Sequence, residues 1–326
     1  MSENSKIEWT NHTVNPWWGC TEVHEGCNNC YARVLANRWK KDLWGTDKPR
    51  METKNWLNDL HKYQKKAAVA GEMHRIFIGS MMDIFEKPMP VIDWKGQEVD
   101  DHSNEEDGVL LTSRLRDELF KLIHADCFPN LLFLFLTKRP SNINKYIPEE
   151  WKENCPTNVM FGTSVVNQET ADKLIPQLME APGKKFLSME PLLGPVDLLK
   201  EYPVGKGTVP FGALVDWVIV GGESGHHARP MHPDWVRSIR RDCRLADIPF
   251  FFKQWGEWAP IDFHSQKAKH DMGQFLRGRW NHGEIENPEH YGYTIEHAHQ
   301  IMQKIGKKEA GRLLDGQLHD EFPVVK

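Results

Sequence analysis

Three cysteines fall within eleven residues, Cys20, Cys27 and Cys30, with the spacing C-x6-C-x2-C, while Cys127, Cys155 and Cys243 stand alone. Thiolates hold both zinc and iron–sulfur clusters, and a C-x2-C pair turns two sulfurs toward one centre in either case. Spacing leaves both open. A structural zinc takes a fourth ligand, for which His24 or His12 is at hand, whereas a reactive cluster leaves one iron free for a ligand. Six cysteines in 326 residues are too few for a disulfide scaffold, and buried structural thiols do not crowd in this way.

Such a loop needs a scaffold, and the chain supplies one in alternating form. Short apolar runs rich in Val, Ile and Phe recur at Arg75 to Gly79, Leu131 to Leu136, Val159 to Gly162, Phe186 to Met189, Trp217 to Val220 and Pro249 to Phe252, and a seventh strand is expected before Cys20. Parallel strands buried on both faces read this way. Between them the spacing predicts helices over Asn29 to Lys41, Ser113 to Ala125, Gln168 to Glu180 and Pro233 to Ala246, the last with Trp235, Val236, Ile239 and Cys243 on one face. Strand, loop and helix repeat, which points to a βα barrel, complete or open, or to a doubly wound sheet.

In such folds the functional groups sit on loops after the strands' carboxyl ends. Nearly every strand here runs into polar residues: Ser80 and Asp83; Thr137, Lys138 and Arg139; Thr163 and Ser164; Glu190; Gly221, Gly222, Glu223 and Ser224; Lys253, Gln254 and Trp255. Helix capping explains one or two, such as Ser80 and Ser164. Six in succession predict one shared pocket.

The 40% apolar and 10% aromatic fractions are those of a globule with a sizeable core. No run of about 18 apolar residues occurs, and Met1 to Glu8 is polar and acidic, so a soluble, cytoplasmic protein with no membrane span is expected. The net charge of −5 argues against a uniformly basic nucleic-acid binder but leaves room for a local groove. Residues 38–75 are the candidate, with ten Lys/Arg against five Asp/Glu. Their interleaved Trp39, Trp44, Trp56 and Tyr63 fit either a surface that holds phosphates and stacks bases or a solvated helical face over buried aromatics. Residues 88–108, with Asp100, Asp101, Glu105, Glu106 and Asp107, read as an exposed acidic insertion. After Trp258 strand-like runs cease. His264, His270, His282, His290, His297, His299 and His319 are scattered at no metal spacing, and Gly306 to Gly316 predicts a short helix capping the barrel. The expected organisation is a barrel over residues 1–258 and a C-terminal extension, 259–326, packed on it.

A cysteine triad on the first βα loop, followed by strands with polar tips, resembles the radical S-adenosylmethionine superfamily. More narrowly, the chain is similar to a phage-associated family of radical-SAM-like proteins. The matching stretches include Lys6 to Thr10 (KIEWT), Gly19-Cys20-Thr21, Asn29-Cys30-Tyr31-Ala32, Ser80-Met81 with Asp83, Leu136 to Pro140 (LTKRP), Gly162 to Val165 (GTSV), Glu190 to Val196 (EPLLGPV), Val220 to Gly225 (VGGESG), Arg229 to Val236 (RPMHPDWV), Phe251 to Trp258 (FFKQWGEW) and Gly311 to Gly316 (GRLLDG). The superfamily's commonest spacing is C-x3-C-x2-C with an aromatic before the third cysteine; here Asn29 holds that place and Tyr31 follows.

The resemblance implies a partial or complete (β/α) TIM-type barrel of the radical SAM kind. It implies a [4Fe-4S] cluster on Cys20, Cys27 and Cys30, with S-adenosylmethionine on the fourth iron, cleaved after one-electron reduction by a donor protein. The cofactor would then meet Tyr31, with Ser80 and Asp83 for its ammonium, Lys138 for its carboxylate, and Ser164, Glu190, Gly221, Gly222 and Glu223 for ribose and adenine. Arg139, Arg229, Lys253, Gln254 and Trp255 would take a nucleic-acid or nucleotide substrate, in modification or repair. The same cysteines support a second expectation, a zinc-stabilised nucleic-acid-binding protein without catalysis. A third is a cluster-bearing barrel that serves a protein partner.

Overall fold

The computed structural model describes residues 3–101, 108–205, 207–209, 214–260 and 302–324. Seven parallel strands form one sheet: β1 (His12–Val14), β2 (His74–Ile78), β3 (Leu131–Thr137), β4 (Val159–Ser164), β5 (Lys184–Met189), β6 (Trp217–Gly221) and β7 (Phe250–Gln254). Each pairs with the next in the chain, so spatial order is chain order. A doubly wound sheet reverses direction at a switch point. This sheet never does, and it curls into half of a barrel.

Alternation along the strands builds two cores. Ile76, Phe133, Phe135, Phe161, Leu187, Val218 and Phe252 belong to the larger one, shared with the helices. Phe77, Leu132, Leu134, Met160, Phe186, Trp217, Ile219 and Phe251 form the smaller, on the concave face. Both faces are dry, which is why the strands read as unbroken apolar runs. Gly162 also lies on the concave face, and the Phe186 ring fills its side-chain space: a Cβ there would stand 2.4 Å from that ring. Trp9 and Phe322 close the inner cluster from the two ends of the described chain. Trp9 lies 4.7 Å from Phe77 and 6.3 Å from Trp217, and Phe322 lies 5.6 Å from Trp217, between ring centroids.

Five longer helices follow: α1 (Tyr31–Arg38), which opens at the cysteine loop, and α2 (Trp56–Ala70), α3 (Thr112–His124), α4 (Gln168–Met179) and α5 (Pro233–Leu245), which pack on the outer face. Their ends follow local chemistry. Asn167 and Thr170 form a capping box at the start of α4, His232 caps α5 ahead of Pro233, and Gly71 ends α2 in the left-handed region. On α5, Trp235, Val236, Ile239 and Cys243 are buried, as their spacing requires. Within residues 38–75, Trp56 and Tyr63 belong to the core face of α2.

Two regions depart from strand and helix alternation. Trp17–Trp18, Arg50–Glu52 and Val91–Ile92 form a small three-stranded sheet. The stretch expected as an exposed insertion therefore begins inside the fold, with Met89 and Val91 buried, although Asp100 is exposed. Glu105, Glu106 and Asp107 lie outside the described residues, as do His264, His270, His282, His290, His297 and His299. Beyond Trp258–Pro260, which pairs antiparallel with Met302–Lys304, the chain forms a short helix, Lys307–Ala310. It then runs along β7, where Phe252 N–H donates to His319 O at 2.9 Å and Trp217 Nε1 donates to Glu321 O at 2.9 Å. Among the described residues no helix is long and apolar enough to cross a membrane.

Candidate active site

The alternation of each strand carries past its end. On the concave face, Leu136 leads to Lys138, Gly162 to Ser164, Phe186 to Ser188 and Glu190, and Phe251 to Lys253. All of these charged or hydroxyl-bearing tips line one cavity of about 450 Å³, whose apolar lining includes Trp9, Phe77, Met81, Met82 and Leu136. Cys20, Cys27 and Cys30 line the same cavity, as do Tyr31, Ser80, Asp83, Gly222, Glu223 and Gln254.

The cysteine loop is held from behind. Gly19 takes a φ of +114°, and a side chain there would meet Leu43 O at 2.7 Å and Arg50 Cδ at 2.8 Å. Arg50 is fully buried. It grips Glu86 with two nitrogens (2.9 and 2.6 Å) and donates to Thr21 Oγ1 and to the Leu43 and Lys48 carbonyls. Cys27 ends a 3-10 turn, Glu25–Cys27, and its sulfur accepts the Val23 N–H at 3.5 Å. Cys30 stands at the N-cap of α1. All three are free thiols.

Beside Cys20 lies a charge network. Asp83 accepts from Phe85 N–H, Thr137 Oγ1, Lys138 N–H and Arg139 Nη1, at 3.0, 2.8, 3.2 and 2.7 Å. Arg139 also donates to Thr21 O at 2.5 Å, and its Nη1 is 4.0 Å from Cys20 Sγ. Burial, then the Asp83 and Glu86 carboxylates, push the Cys20 thiol up to about 12, against the opposing pull of Arg139 and Lys138. In the free protein Cys20 is a thiol.

Several expected ligand groups are occupied by neighbours. Asp83, read as a partner for an ammonium group, is saturated by the donors just named. Ser80 Oγ accepts from Asn15 Nδ2 at 2.8 Å, and Ser80 O accepts from Tyr31 OH at 2.7 Å. Glu223 is held by both ends of the Arg229 guanidinium (2.9 and 2.6 Å) and by Asn29 Nδ2 (3.0 Å), which clips the β6 tip to the cysteine loop. These bonds hold the Glu223 carboxyl below its usual range, although burial opposes them. Glu190 pairs with Lys253 and accepts from Trp9 Nε1 at 2.9 Å. Gln254 bonds Gly222 O and Ser224 Oγ and accepts from Gly256 N–H.

Arg139, Arg229, Trp255 and Gly221 do not line the cavity. The two arginines turn to their carboxylates, and Trp255 turns into the main core, with Nε1 on Leu313 O at 2.8 Å. Gly222 serves packing: a Cβ would stand 1.9 Å from Trp255 O. Lys138 keeps an open ammonium. Its Nζ donates to Ser164 Oγ at 3.2 Å, with no carboxylate partner among the described residues. Ser188 stands beside Ser164 in the sheet register and lines the cavity with it. Trp9, Ser188, Arg50 and Glu86 are the participants that sequence reasoning missed, and Trp44, read as one of the aromatics of residues 38–75, lines the cavity. For Ser188 the signal was present in the two-residue period from Phe186 to Glu190.

Neither histidine offered as a fourth zinc ligand is suited to it. His12 stacks on Tyr63 at 3.9 Å and bonds His74 at 3.1 Å, and it does not line the cavity. His24 Nδ1 accepts the Gly26 N–H at 3.1 Å, so the neutral ring carries its proton on Nε2, the nitrogen that is buried without a partner.

Fold and site define a class: a mixed α/β protein whose singly wound parallel half-barrel gathers a cavity at the carboxyl ends of its strands. The chain belongs to the family described as Protein of unknown function (DUF5131), whose model matches residues 4–116 and 109–323. No curated protein and no solved structure matches it. The resemblance to the radical S-adenosylmethionine superfamily and its phage-associated branch is thereby corrected. The family found is a different one, and among the described residues no group of three or more His, Cys, Asp or Glu is gathered to hold a metal ion. The six residues between Cys20 and Cys27 already departed from that superfamily's motif.

Proposed function

We propose that the cavity is an active site. In this reading Cys20, Cys27 and Cys30 hold a [4Fe-4S] cluster and S-adenosylmethionine binds beside it, to act on a nucleic-acid or nucleotide substrate. The observation that carries it is that three free thiols face the cavity into which the strand tips of a half-barrel project. Kinship plays no part in this reading. The donor set fits: a cluster takes each thiolate on its own iron, so the sulfurs need not converge on one point, and neither His24 nor His12 is placed to complete a zinc site.

The chemistry supplied by such a cluster, when bound, is one-electron cleavage of the sulfonium of S-adenosylmethionine. The chain's own residues bind, orient and exclude water. Lys138, with Ser164 and Ser188, is the anion-facing group, suited to a carboxylate or phosphate. The Glu190–Lys253 pair and Trp9 wall the side nearest β7. Trp9, Phe77 and Leu136 keep the base of the cavity apolar.

Anaerobic reconstitution with iron and sulfide tests the reading. It expects both elements to be retained, and deoxyadenosine to form from S-adenosylmethionine after chemical reduction. Retention of one zinc with neither iron nor sulfide would replace it with the zinc-stabilised nucleic-acid-binding reading.

A further inference from the structure

Beside the cysteine loop lies a patch of indole rings that the cavity does not use. Trp39 at the end of α1 and Trp94 in the turn after Val91–Ile92 are 58% and 48% exposed, and their rings lie 6.0 Å apart, while Trp18 meets Trp94 at 6.4 Å. Large exposed aromatics at such density are uncommon on a surface without a partner. Cations border them. Lys41 Nζ stands 4.4 Å over the Trp94 ring, and Lys40 and Lys95 are exposed with no carboxylate partner among the described residues. Two of the nearby carboxylates are engaged: Asp42 pairs with Lys48 at 2.7 Å, and Asp93 accepts the backbone N–H of Lys95 and Gln97 at 2.7 and 2.9 Å. The patch continues to the cavity, because the segment after Trp39 runs to Trp44, which bridges Cys20 and lines the cavity wall.

We infer that Trp18, Trp39 and Trp94, with Lys40, Lys41 and Lys95, form a platform for single-stranded nucleic acid. Bases stack on the indoles and phosphates meet the lysines, an arrangement tolerant of sequence. A duplex hides the faces of its bases and is a poor occupant. The inference deepens the nucleic-acid arm of the proposed function and rests on it only for the chemistry after binding.

The test is fluorescence anisotropy of labelled oligothymidine, oligouridine and a duplex of equal length, with the full chain as purified. Both single strands are expected to bind more tightly than the duplex. Trp39→Ala with Trp94→Ala should weaken single-strand binding roughly tenfold or more, with an unchanged circular dichroism spectrum. Lys40→Ala with Lys41→Ala should lower the salt slope by about one to two, and the basic control Lys65→Ala with Lys66→Ala on α2 should change affinity less than about twofold. Wild-type-like binding by the double tryptophan variant, a preference for duplex, or no binding by the wild type would each overturn the platform. Iron and sulfide retention, measured in parallel, keeps this outcome separate: a protein that binds strands but retains no cluster sinks only the earlier reading.

Discussion

The carboxylate of Glu190 and the ammonium of Lys253 form an ion pair across the concave face of the half-barrel, joining the tips of β5 and β7 over the intervening β6. Trp9 Nε1 donates to the same carboxylate, so one end of the described chain is tied to the pair. Both side chains are largely withdrawn from water, at 11% and 17% exposure. Removing one leaves the other's charge uncompensated. Glu190→Gln or Lys253→Met should each lower unfolding stability by about 2 kcal/mol in denaturant titrations, below the cost for a fully buried pair, and the double change should recover part of the loss.

Cys20 gives a signature at high pH. Its folded-state thiol titrates near 12 against an ordinary value of 9, so the folded protein holds a proton that the unfolded chain releases. The stability this contributes is complete below pH 9 and is lost as pH rises toward 12. The metal-free protein should therefore resist iodoacetamide at Cys20 at neutral pH, as read by peptide mass spectrometry. Asp83→Asn, which removes the carboxylate with the larger effect on Cys20, should speed that alkylation.

Acid acts through the histidines. Burial lowers His12 and His24 to about 4, with His74 and Lys138 the next contributors, so both are neutral in the folded protein. Depressed values contribute stability that is present above about pH 6.5 and lost as pH falls through 4. Each contributes on the order of 2 kcal/mol, less for His24, which keeps some exposure. His24→Asn, which keeps an acceptor for Gly26 N–H, should flatten the acid limb of a stability profile.

Gly222 has no room for a methyl group, since the nearest atom is a backbone carbonyl that cannot rotate away. Gly222→Ala should cost about 3 kcal/mol or more, or prevent folding, and should release the Glu223–Arg229 clip on the cysteine loop. Gly71→Ala is the comparison. Its φ of +65° is strained for alanine but open space surrounds it, so about 1 kcal/mol is expected by thermal unfolding.

Cys27→Ala should abolish iron retention after reconstitution, while Cys127→Ala, Cys155→Ala and Cys243→Ala should leave it intact. Metal analysis of the four variants decides the ligand assignment. Cys243 is wholly buried, so its variant should also lose about 1 kcal/mol of stability.

Six of the seven strands were legible because burial on both faces writes an unbroken apolar run, as in Leu131 to Leu136, and no helix of that length competes for it; His12–Val14 carries no such run and was expected only from its place before Cys20. The helices were legible where apolar spacing or capping chemistry marked them, as on α5. Trp17–Trp18 and Val91–Ile92 were not, because two residues carry no period. The three cysteines and the strand tips were legible as residues facing one cavity. The partners of those tips were not: an arginine bound to a substrate and one bound to a carboxylate six residues away, as Arg229 is to Glu223, have the same local sequence. Trp255 misled in the same way, since a core tryptophan and a stacking tryptophan differ only in their surroundings.

Strand order that follows chain order leaves β1 and β7 at opposite edges, with Trp9 and Phe322 filling the inner face between them. A polypeptide grows from its amino end, so Trp9 emerges first and Phe322 more than three hundred residues later. Until that last stretch is made, Trp217 and Phe251 lack the ring that covers them and the inner face stays wet. The cofactor proposed for this cavity would then have a natural order of events: translation first, loading afterwards.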